Sequence, residues 1–284
     1  MNPLQSVTSA RLAIVAGKGG VGKTTVTAVL ARAAIQRGLR VLVVELDGKP
    51  TLADLLPDVE VQHISATASL QEYLDSHGLS RVAKRLARSG IIDVVATASP
   101  GIDDIVVLGK IKQLERSGNY DLVVVDGPAA GHAITFLLAA KTLLGTMRGG
   151  PIHTQAAEVN EMLTDPARAA VVMVTLPEAT PANEAVETAA ALTERVGVHL
   201  AALVVNAVDD GPLLEVDAAP EGSAMRAAAE FRNARRRLHA ATRHDLEQRL
   251  PLPQLVVPLV PGAVLDAAAV DTLAAAWATA GDRA

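Results

Sequence analysis

The stretch GKGGVGKTT, at residues 17–25, decides the fold of this chain. It satisfies the pattern G-x-x-x-x-G-K-[ST] of a phosphate-binding loop, with Gly17 and Gly22 as the two glycines and Lys23 and Thr24 after them. An apolar run, LAIVA, precedes the loop, and a helical pattern follows it. Such a loop requires a buried strand before it and a helix after it, and this stretch has both. It therefore predicts a nucleotide site at the end of the first strand.

The residues of this loop have predicted roles in holding a triphosphate. The glycines allow backbone N–H groups to turn inward as an anion nest, and the following helix directs its positive dipole end at the same place. Lys23 is expected to bridge the terminal phosphates, the Thr24 hydroxyl to bind Mg²⁺, and Thr25 to contact the α-phosphate. The predicted cofactors are ATP and Mg²⁺, and the predicted ATP-binding residues of the loop are Gly17, Gly19, Gly20, Val21, Gly22, Lys23, Thr24 and Thr25.

A second lysine, Lys18, stands at the start of the loop, where a side chain is expected to point away from the phosphates that its own loop holds. Its ammonium group would repel that of Lys23 unless an anion lies between them. One interpretation is that Lys18 reaches the phosphates of a facing subunit and neutralises charge on the transferred phosphoryl group, as an arginine finger does. The alternative is an exposed lysine without a role.

The rest of the chain predicts an α/β fold. Short, Val-rich apolar runs without alternation are typical of parallel strands that helices cover on both faces. Helical segments lie between the runs, such as Thr24–Arg37 with Gly38 as its C-terminal cap. We expect a doubly wound, mostly parallel sheet in a single domain, residues 1–284, with helical insertions near residues 69–99 and 209–249. The apolar runs are Leu12–Ala16, Val41–Leu46, Leu122–Val125, Val171–Val174, Leu203–Val205 and Leu255–Val257.

Composition limits the classes of partner and compartment. A net charge of −5 gives no general attraction to nucleic acid or to anionic membranes. The chain has no cysteine, which excludes disulfides, thiolate metal sites and iron–sulfur clusters and fits a reducing compartment. The N-terminal residues do not form a signal-peptide pattern, and no apolar run is long enough to span a bilayer. We therefore expect a cytoplasmic protein without an integral membrane segment and without a nucleic-acid partner.

Two carboxylates follow buried runs and are expected at the carboxyl edge of the sheet, where ligands bind in such folds. Asp47 is predicted to orient the water that attacks the γ-phosphate, or to accept its proton; the alternative is an aspartate that caps the following helix. Asp126 ends its run and is predicted to hold Mg²⁺ through water. The predicted catalytic residues are Lys18, Lys23 and Asp47, and the predicted metal site comprises Thr24, Asp47 and Asp126.

The loop with two lysines resembles that of an ATPase superfamily that includes the arsenite-pump ATPase, the tail-anchored-protein-targeting ATPase, the septum-site and plasmid-partition ATPases and the nitrogenase iron protein. In that superfamily the first lysine acts across a nucleotide-dependent dimer, and the resemblance assigns this role to Lys18. The stretch ELDGKPTLAD is similar to T-D-P-A-H-N-L-S-D of the arsenite-pump and tail-anchor branch, which places Asp47 on the catalytic aspartate. The stretch DGPAAGHA, which begins at Asp126, is similar to D-T-A-P-T-G-H-T of the same branch but lacks both threonines.

Further segments resemble the same branch, and together the matches span roughly Arg11 to Gly262. The resemblance implies that Asn206 reads the adenine edge with its amide and that Pro258 belongs to the segment that packs on the base; the alternative for Asn206 is a turn residue after a strand. His132 either links the nucleotide state to the following helix or is a helix-start histidine without a mechanism. Weaker similarities are PGIDD at residues 100–104 and VTLPEATPANEAVETAAAL at residues 174–192.

The sequence predicts a Mg²⁺-dependent ATPase that uses ATP binding and hydrolysis to switch the geometry of a nucleotide-sandwiched dimer. The resemblance implies a homodimer, or a heterodimer with a paralogous ATPase, that acts on a protein client. Because the chain has no cysteine, we expect neither the metalloid site nor the zinc motif of the relatives. One alternative is a nucleotide-binding regulatory subunit with little turnover, the structural partner of a paralogous ATPase. Another is a phosphate-transferring enzyme, against which Lys18 argues.

The chain contains two basic clusters. The first is a predicted helix face in the 69–99 insertion with Arg81, Lys84, Arg85 and Arg88. The second is the group of arginines at positions 232, 235, 236 and 237, which could bind an acidic partner or nucleic acid. Acidic residues lie nearby and aromatic residues are almost lacking, which favours a solvated helix face for the second cluster.

Overall fold

A computed structural model of the chain describes residues 3–46, 51–76, 101–260 and 265–279. These residues form a sheet of seven strands in the order β3-β2-β4-β1-β5-β6-β7, and every neighbouring pair is parallel. The strands are β1 (Leu12–Gly17), β2 (Val41–Glu45), β3 (Glu60–His63), β4 (Leu122–Ala129), β5 (Ala169–Thr175), β6 (Leu200–Val208) and β7 (Gln254–Pro258).

Strand β1 lies in the middle of the sheet. Leu12 aligns with Val123 of β4 on one side and with Ala169 of β5 on the other. All six residues of β1 are buried, as expected for a strand that is covered on both faces. Strands β2, β3 and β4 lie on one side of β1, and β5, β6 and β7 lie on the other. The strand order therefore changes direction at β1, and the carboxyl end of β1 lies at this switch point. Ligands bind at such a point in open α/β sheets.

Helices cover both faces of the sheet, which confirms the predicted doubly wound α/β fold. Alternate residues of β1 belong to separate apolar clusters: Leu12 and Ile14 face one side, and Ala13 and Val15 face the other. The described helices are α1 (Pro3–Thr8), α2 (Lys23–Gln36), α3 (Thr51–Leu55), α4 (Ala66–Ser76), α5 (Ile102–Arg116), α6 (Ala130–Thr146), α7 (Pro151–Thr164), α8 (Ala179–Ala191), α9 (Ala224–Arg249) and α10 (Ala267–Thr279), with a π-helical turn at Leu192–Val196 and a 3₁₀ turn at Val216–Ala218.

The two clusters hold different helices against the sheet. One cluster packs α1, α2, α3 and α10 against one face, and the other packs α5, α6, α7 and α8 against the opposite face. Aliphatic side chains fill most of both clusters, and Phe136 and Trp277 are the buried aromatics among the core residues. Trp277 Nε1 donates to Val256 O at 2.7 Å and so joins α10 to β7. This contact satisfies the one polar atom of a buried indole.

The helix after the glycine-rich loop agrees with the prediction to within one residue at each end. It runs from Lys23 to Gln36 and ends before Gly38, which has a φ of 84°. The Gly38 N–H donates to Ile35 O at 2.8 Å, as a left-handed residue after a helix does. Within the described residues, no helix is both long and apolar enough to cross a membrane.

Strand β3 is an element that the sequence analysis missed. Of its four residues, Glu60–His63, all but Val61 are polar. They are exposed or half-buried, because β3 lies at the edge of the sheet beside β2. A short edge strand of this kind has no buried run that would indicate it.

The two predicted insertions differ in how much of them is described. The basic residues of the first insertion, Arg81 to Arg88, lie outside the described residues, and α4 is the part that the structure shows. The second insertion is a loop followed by α9, a helix of 26 residues. Ser223 caps α9, because its hydroxyl accepts from the Arg226 N–H at 3.2 Å.

Candidate functional site

The phosphate-binding loop leaves β1 at Gly17 and enters α2 at Lys23. Gly22 has a φ of 86°, and a Cβ atom there would lie 2.1 Å from Asn206 Nδ2. A Cβ atom on Gly17 would lie 2.4 Å from the Val174 carbonyl oxygen of β5. Backbone conformation and close packing therefore require glycine at both ends of the loop.

The start of α2 is suited to bind an anion. Its N-cap residue is Gly22, which supplies no side-chain hydrogen bond, and the first turn contains no acidic residue. The N–H groups of a first turn have no acceptor within the helix, and the helix dipole favours negative charge at this end. Lys23 Nζ donates to the carbonyl oxygen of Lys18 at 3.2 Å, which places the ammonium group over the loop. This arrangement is chemically suited to a phosphate group.

Two hydroxyl groups of α2 converge on Asp126. Thr24 Oγ1 donates to Asp126 Oδ2 at 2.8 Å, and Thr27 Oγ1 lies 3.3 Å from Asp126 Oδ1. The predicted position of Asp126 needs one correction: it does not end its strand, because β4 continues to Ala129 through a shift in register against β1. Thr24 and Asp126 are therefore brought together, and they present the oxygen ligands that Mg²⁺ prefers.

Sequence reasoning missed a third polar residue in this region, Glu45. It is the last residue of β2 and aligns with Asp126 across the β2–β4 pair. Glu45 is 8% exposed, and burial raises the pKa of its carboxyl, with a further rise from the nearby Asp126 charge. An acidic residue at the end of an otherwise apolar run was the signal for it in the sequence.

The predicted catalytic residue Asp47 lies outside the described residues, together with Gly48, Lys49 and Pro50. The chain is described up to Leu46, one residue after β2, and again from the first residue of α3. Its predicted roles, in positioning water and in binding metal, therefore stay predictions.

The side chain of Lys18 contacts its own chain. Its Nζ donates to Oε1 of Glu184, a residue in the second turn of α8. Repulsion between the Lys18 and Lys23 ammonium groups favours an anion near them, and in the single chain Glu184 places a negative charge beside Lys18. The Lys18 side chain remains 47% exposed.

Asn206 bridges β6 and the phosphate-binding loop. Its Nδ2 donates to Val21 O at 2.8 Å, and its Oδ1 accepts from the Ala207 N–H at 2.8 Å. Ala207 has a φ of 55°, at a register shift between β6 and β7. Pro258, the last residue of β7, aligns with Val208 at the same end of the sheet. Both residues thus lie at the predicted edge, but both ends of the Asn206 amide already have partners, and its reading of adenine stays a prediction.

His132 lies in the first turn of α6, and its side chain is exposed. It is near Asp104, which stands in the first turn of α5 within the PGIDD segment. Burial raises the pKa of the Asp104 carboxyl, and the nearby His132 partly offsets this rise. The structure therefore brings together two of the predicted family segments, although the role of His132 stays open.

Arginines of α9 contact the loop that follows β6, a set of contacts that the sequence did not predict. Arg232 makes a bidentate contact with Asp209, at 2.8 and 3.0 Å. Arg236 Nε lies 3.3 Å from the Asp209 carbonyl oxygen, and Arg235 lies 3.8 Å from Glu178. The preferred interpretation, a solvated helix face, is therefore incomplete, because much of this positive charge anchors α9 to the loop after β6 and to the start of α8.

Comparison with known proteins identifies the relatives of this chain. Residues 10–149 match the model of the family described as anion-transporting ATPase. ATPase BagA of Mycobacterium tuberculosis is 33% identical over 202 residues, which cover 62% of this chain and 59% of that protein. The arsenical pump-driving ATPase of Escherichia coli is 30% identical over 208 residues, which cover 69% of this chain and 34% of that protein. ATPase get3 of Schizosaccharomyces japonicus is 31% identical over 170 residues, or 52% of each chain.

The chain thus matches less than two thirds of the length of each of these relatives. The matched family region contains the phosphate-binding loop, β2, β4 and the Asp126 carboxylate, so the shared part includes the residues that the geometry assembles. The chain is therefore similar to the arsenical pump-driving and get3 ATPases, and its residues 10–149 match the anion-transporting ATPase family.

Proposed function

We propose that the chain is a Mg²⁺-dependent ATPase whose nucleotide lies between the phosphate-binding loop and the carboxyl ends of β1 and β4. The observation that carries this proposal is the hydrogen bond between Thr24 Oγ1 and Asp126 Oδ2, next to the Lys23 ammonium and the start of α2. A hydroxyl and a carboxylate at this position suit Mg²⁺, and the helix start suits the phosphates beside it.

Three side chains of the loop and two aspartates outside it have roles in the proposed reaction. Lys23 moves from the Lys18 carbonyl oxygen to the terminal phosphates, where its charge offsets that of the transferred group. Thr24 and Asp126 would hold the metal ion, and bound Mg²⁺ would supply positive charge to the phosphate oxygens. Asp47 positions the attacking water. Lys18 adds a further positive charge from a second subunit.

The proposed output is a change in the geometry of a dimer that sandwiches the nucleotide. The support is the resemblance of the two-lysine loop and the position of Lys18 at the loop's outer side, where its side chain is half exposed. The second subunit is a copy of this chain or a paralogous ATPase. The chain has no cysteine, so thiolate binding of a metalloid forms no part of the proposal.

Substitution of Thr24 tests the proposed metal site. Thr24→Val keeps the shape of the side chain but removes the hydroxyl that reaches Asp126. We expect its Mg²⁺-dependent ATP hydrolysis to need about 10- to 100-fold more Mg²⁺, whereas Thr24→Ser, which keeps the hydroxyl, should need about as much as the wild type. The measurement is phosphate release as Mg²⁺ is titrated. An equal Mg²⁺ requirement for Thr24→Val and the wild type would remove this threonine from the metal site.

A second candidate is a nucleotide-binding subunit with little turnover of its own. It is favoured by the contact of Lys18 with Glu184, which directs the predicted trans-acting lysine toward its own chain. Turnover that stays near zero in the isolated chain, despite measurable nucleotide binding, and that rises on addition of a paralogous ATPase would support this second function. Turnover that rises with the concentration of the chain alone would support the first.

A further inference from the structure

The lysine at the start of the phosphate-binding loop is held by a distant carboxylate. Lys18 and Glu184 are 166 positions apart in the chain, and they meet because β1 and β5 are neighbours in the sheet. The loop after β1 and the helix after β5 therefore leave the same edge side by side. Lys18 is the lysine that the anion nest does not require, and this contact joins it to α8, a helix outside the loop.

The other oxygen of Glu184 has no donor. Its Oε2 atom is buried and has no hydrogen-bond partner within the part of the chain that the structure describes. Lys18 is thus the group that compensates this carboxylate. Lys18 donates to the other oxygen, Oε1, so turning Lys18 away would leave the partly buried Glu184 carboxylate without a donor among the described residues. Glu184 therefore favours the orientation in which Lys18 stays beside it.

The contact is nevertheless weak enough to be reversed. The side chains of Lys18 and Glu184 are 47% and 34% exposed. Ion pairs at that level of exposure shift an equilibrium by at most about fivefold, because water and salt screen them. A bound triphosphate carries several negative charges and is a stronger ligand for an ammonium group than one carboxylate.

We propose that Glu184 is a positioning residue: it holds Lys18 in a resting orientation and releases it to the triphosphate bound by a second copy of the chain. This inference rests on the proposed function, because it needs a dimer that closes around nucleotide. Each copy gives up its internal contact when Lys18 turns outward. Glu184 therefore weakens closure of the dimer and makes it depend on nucleotide in the facing copy.

Glu184→Gln removes the negative charge and keeps the size of the side chain, and Glu187→Gln is the matched control. Glu187 lies one turn further along α8, and its side chain is exposed. The first measurement is the rate at which an acetylating reagent modifies Lys18 in the nucleotide-free protein, followed by mass spectrometry with Lys141 as the internal reference. We expect Glu184→Gln to raise this rate about two- to fivefold and Glu187→Gln to leave it unchanged.

A mutation-free version of the same measurement uses salt. Raising the ionic strength of the wild type should increase the acetylation of Lys18 relative to Lys141, because screening weakens the pair with Glu184. A Lys18 rate that neither the Glu184→Gln substitution nor salt changes would overturn the proposed resting contact.

The second measurement is sedimentation velocity with Mg²⁺ and a non-hydrolysable ATP analogue. We expect Glu184→Gln to self-associate about two- to fivefold more tightly than the wild type and Glu187→Gln, and the three proteins to behave alike without nucleotide. Association of Glu184→Gln that is equal to or weaker than that of the wild type refutes the release step alone. A wild type that fails to self-associate with nucleotide at any concentration refutes a dimer of this chain with itself, and the release step with it.

Discussion

Replacing Gly22 by alanine should destabilise the chain by displacing Asn206. Gly22 has a φ of 86°, and an alanine in this left-handed conformation costs about 1–2 kcal/mol. The new Cβ atom would lie 2.1 Å from Asn206 Nδ2, a distance at which the amide must move. The displaced amide would lose its 2.8 Å hydrogen bond to the buried Val21 carbonyl, at a further cost of about 1–3 kcal/mol.

The sum of both effects is a loss of about 2–5 kcal/mol, a large part of the typical stability of about 5–15 kcal/mol for a folded domain. Gly38→Ala is the matched control, because Gly38 has a φ of 84° but no atom within 4 Å of its Cβ position. This control should lose only the conformational part, about 1–2 kcal/mol. The measurement is urea unfolding followed by circular dichroism, with both variants compared with the wild type.

A double substitution separates the two parts for Gly22. In an Asn206→Ala background the amide is absent, so Gly22→Ala should then cost only about 1–2 kcal/mol. Equal losses for Gly22→Ala and Gly38→Ala in the wild-type background would refute the proposed clash with Asn206. A loss for Gly22→Ala that stays the same with and without the Asn206 side chain would refute it as well.

Two further predictions concern stability away from the loop. Glu115→Ala should lower the free energy of unfolding by about 3–5 kcal/mol in a urea titration, because Glu115 is fully buried and pairs with Arg168 at 2.7 Å; a loss below about 1 kcal/mol would contradict this. Burial, with a smaller effect of Arg235, lowers the pKa of His239 from its ordinary value of 6.5. The unfolded chain therefore binds this proton more readily, so the contribution of His239 is complete above pH 6.5 and is lost as the pH falls through the lowered pKa. His239→Gln should show a smaller loss of stability than the wild type between pH 7 and pH 5, and an equal loss would contradict the assignment.

Local pattern was sufficient for the central part of the fold. The run before the loop is buried on every residue, and such a run predicts a strand that is covered on both faces wherever it lies in the sheet. The glycines and the hydroxyl of the loop act on their immediate neighbours, so local pattern was also sufficient to propose a nucleotide site at the end of β1. Strand β3 could not be found in this way, because an edge strand with polar side chains owes its structure to pairing with β2.

By itself, the sequence determined the type of fold, the loop and the residue types of the proposed triphosphate site, because these depend on spacing within a few residues. Only the tertiary structure decided which distant groups meet there. It set Glu45 beside Asp126, the Asn206 amide against Val21 and the carboxylate of Glu184 against Lys18. These contacts follow from the order of strands in the sheet, which brings together side chains that are far apart along the chain and that no local spacing relates.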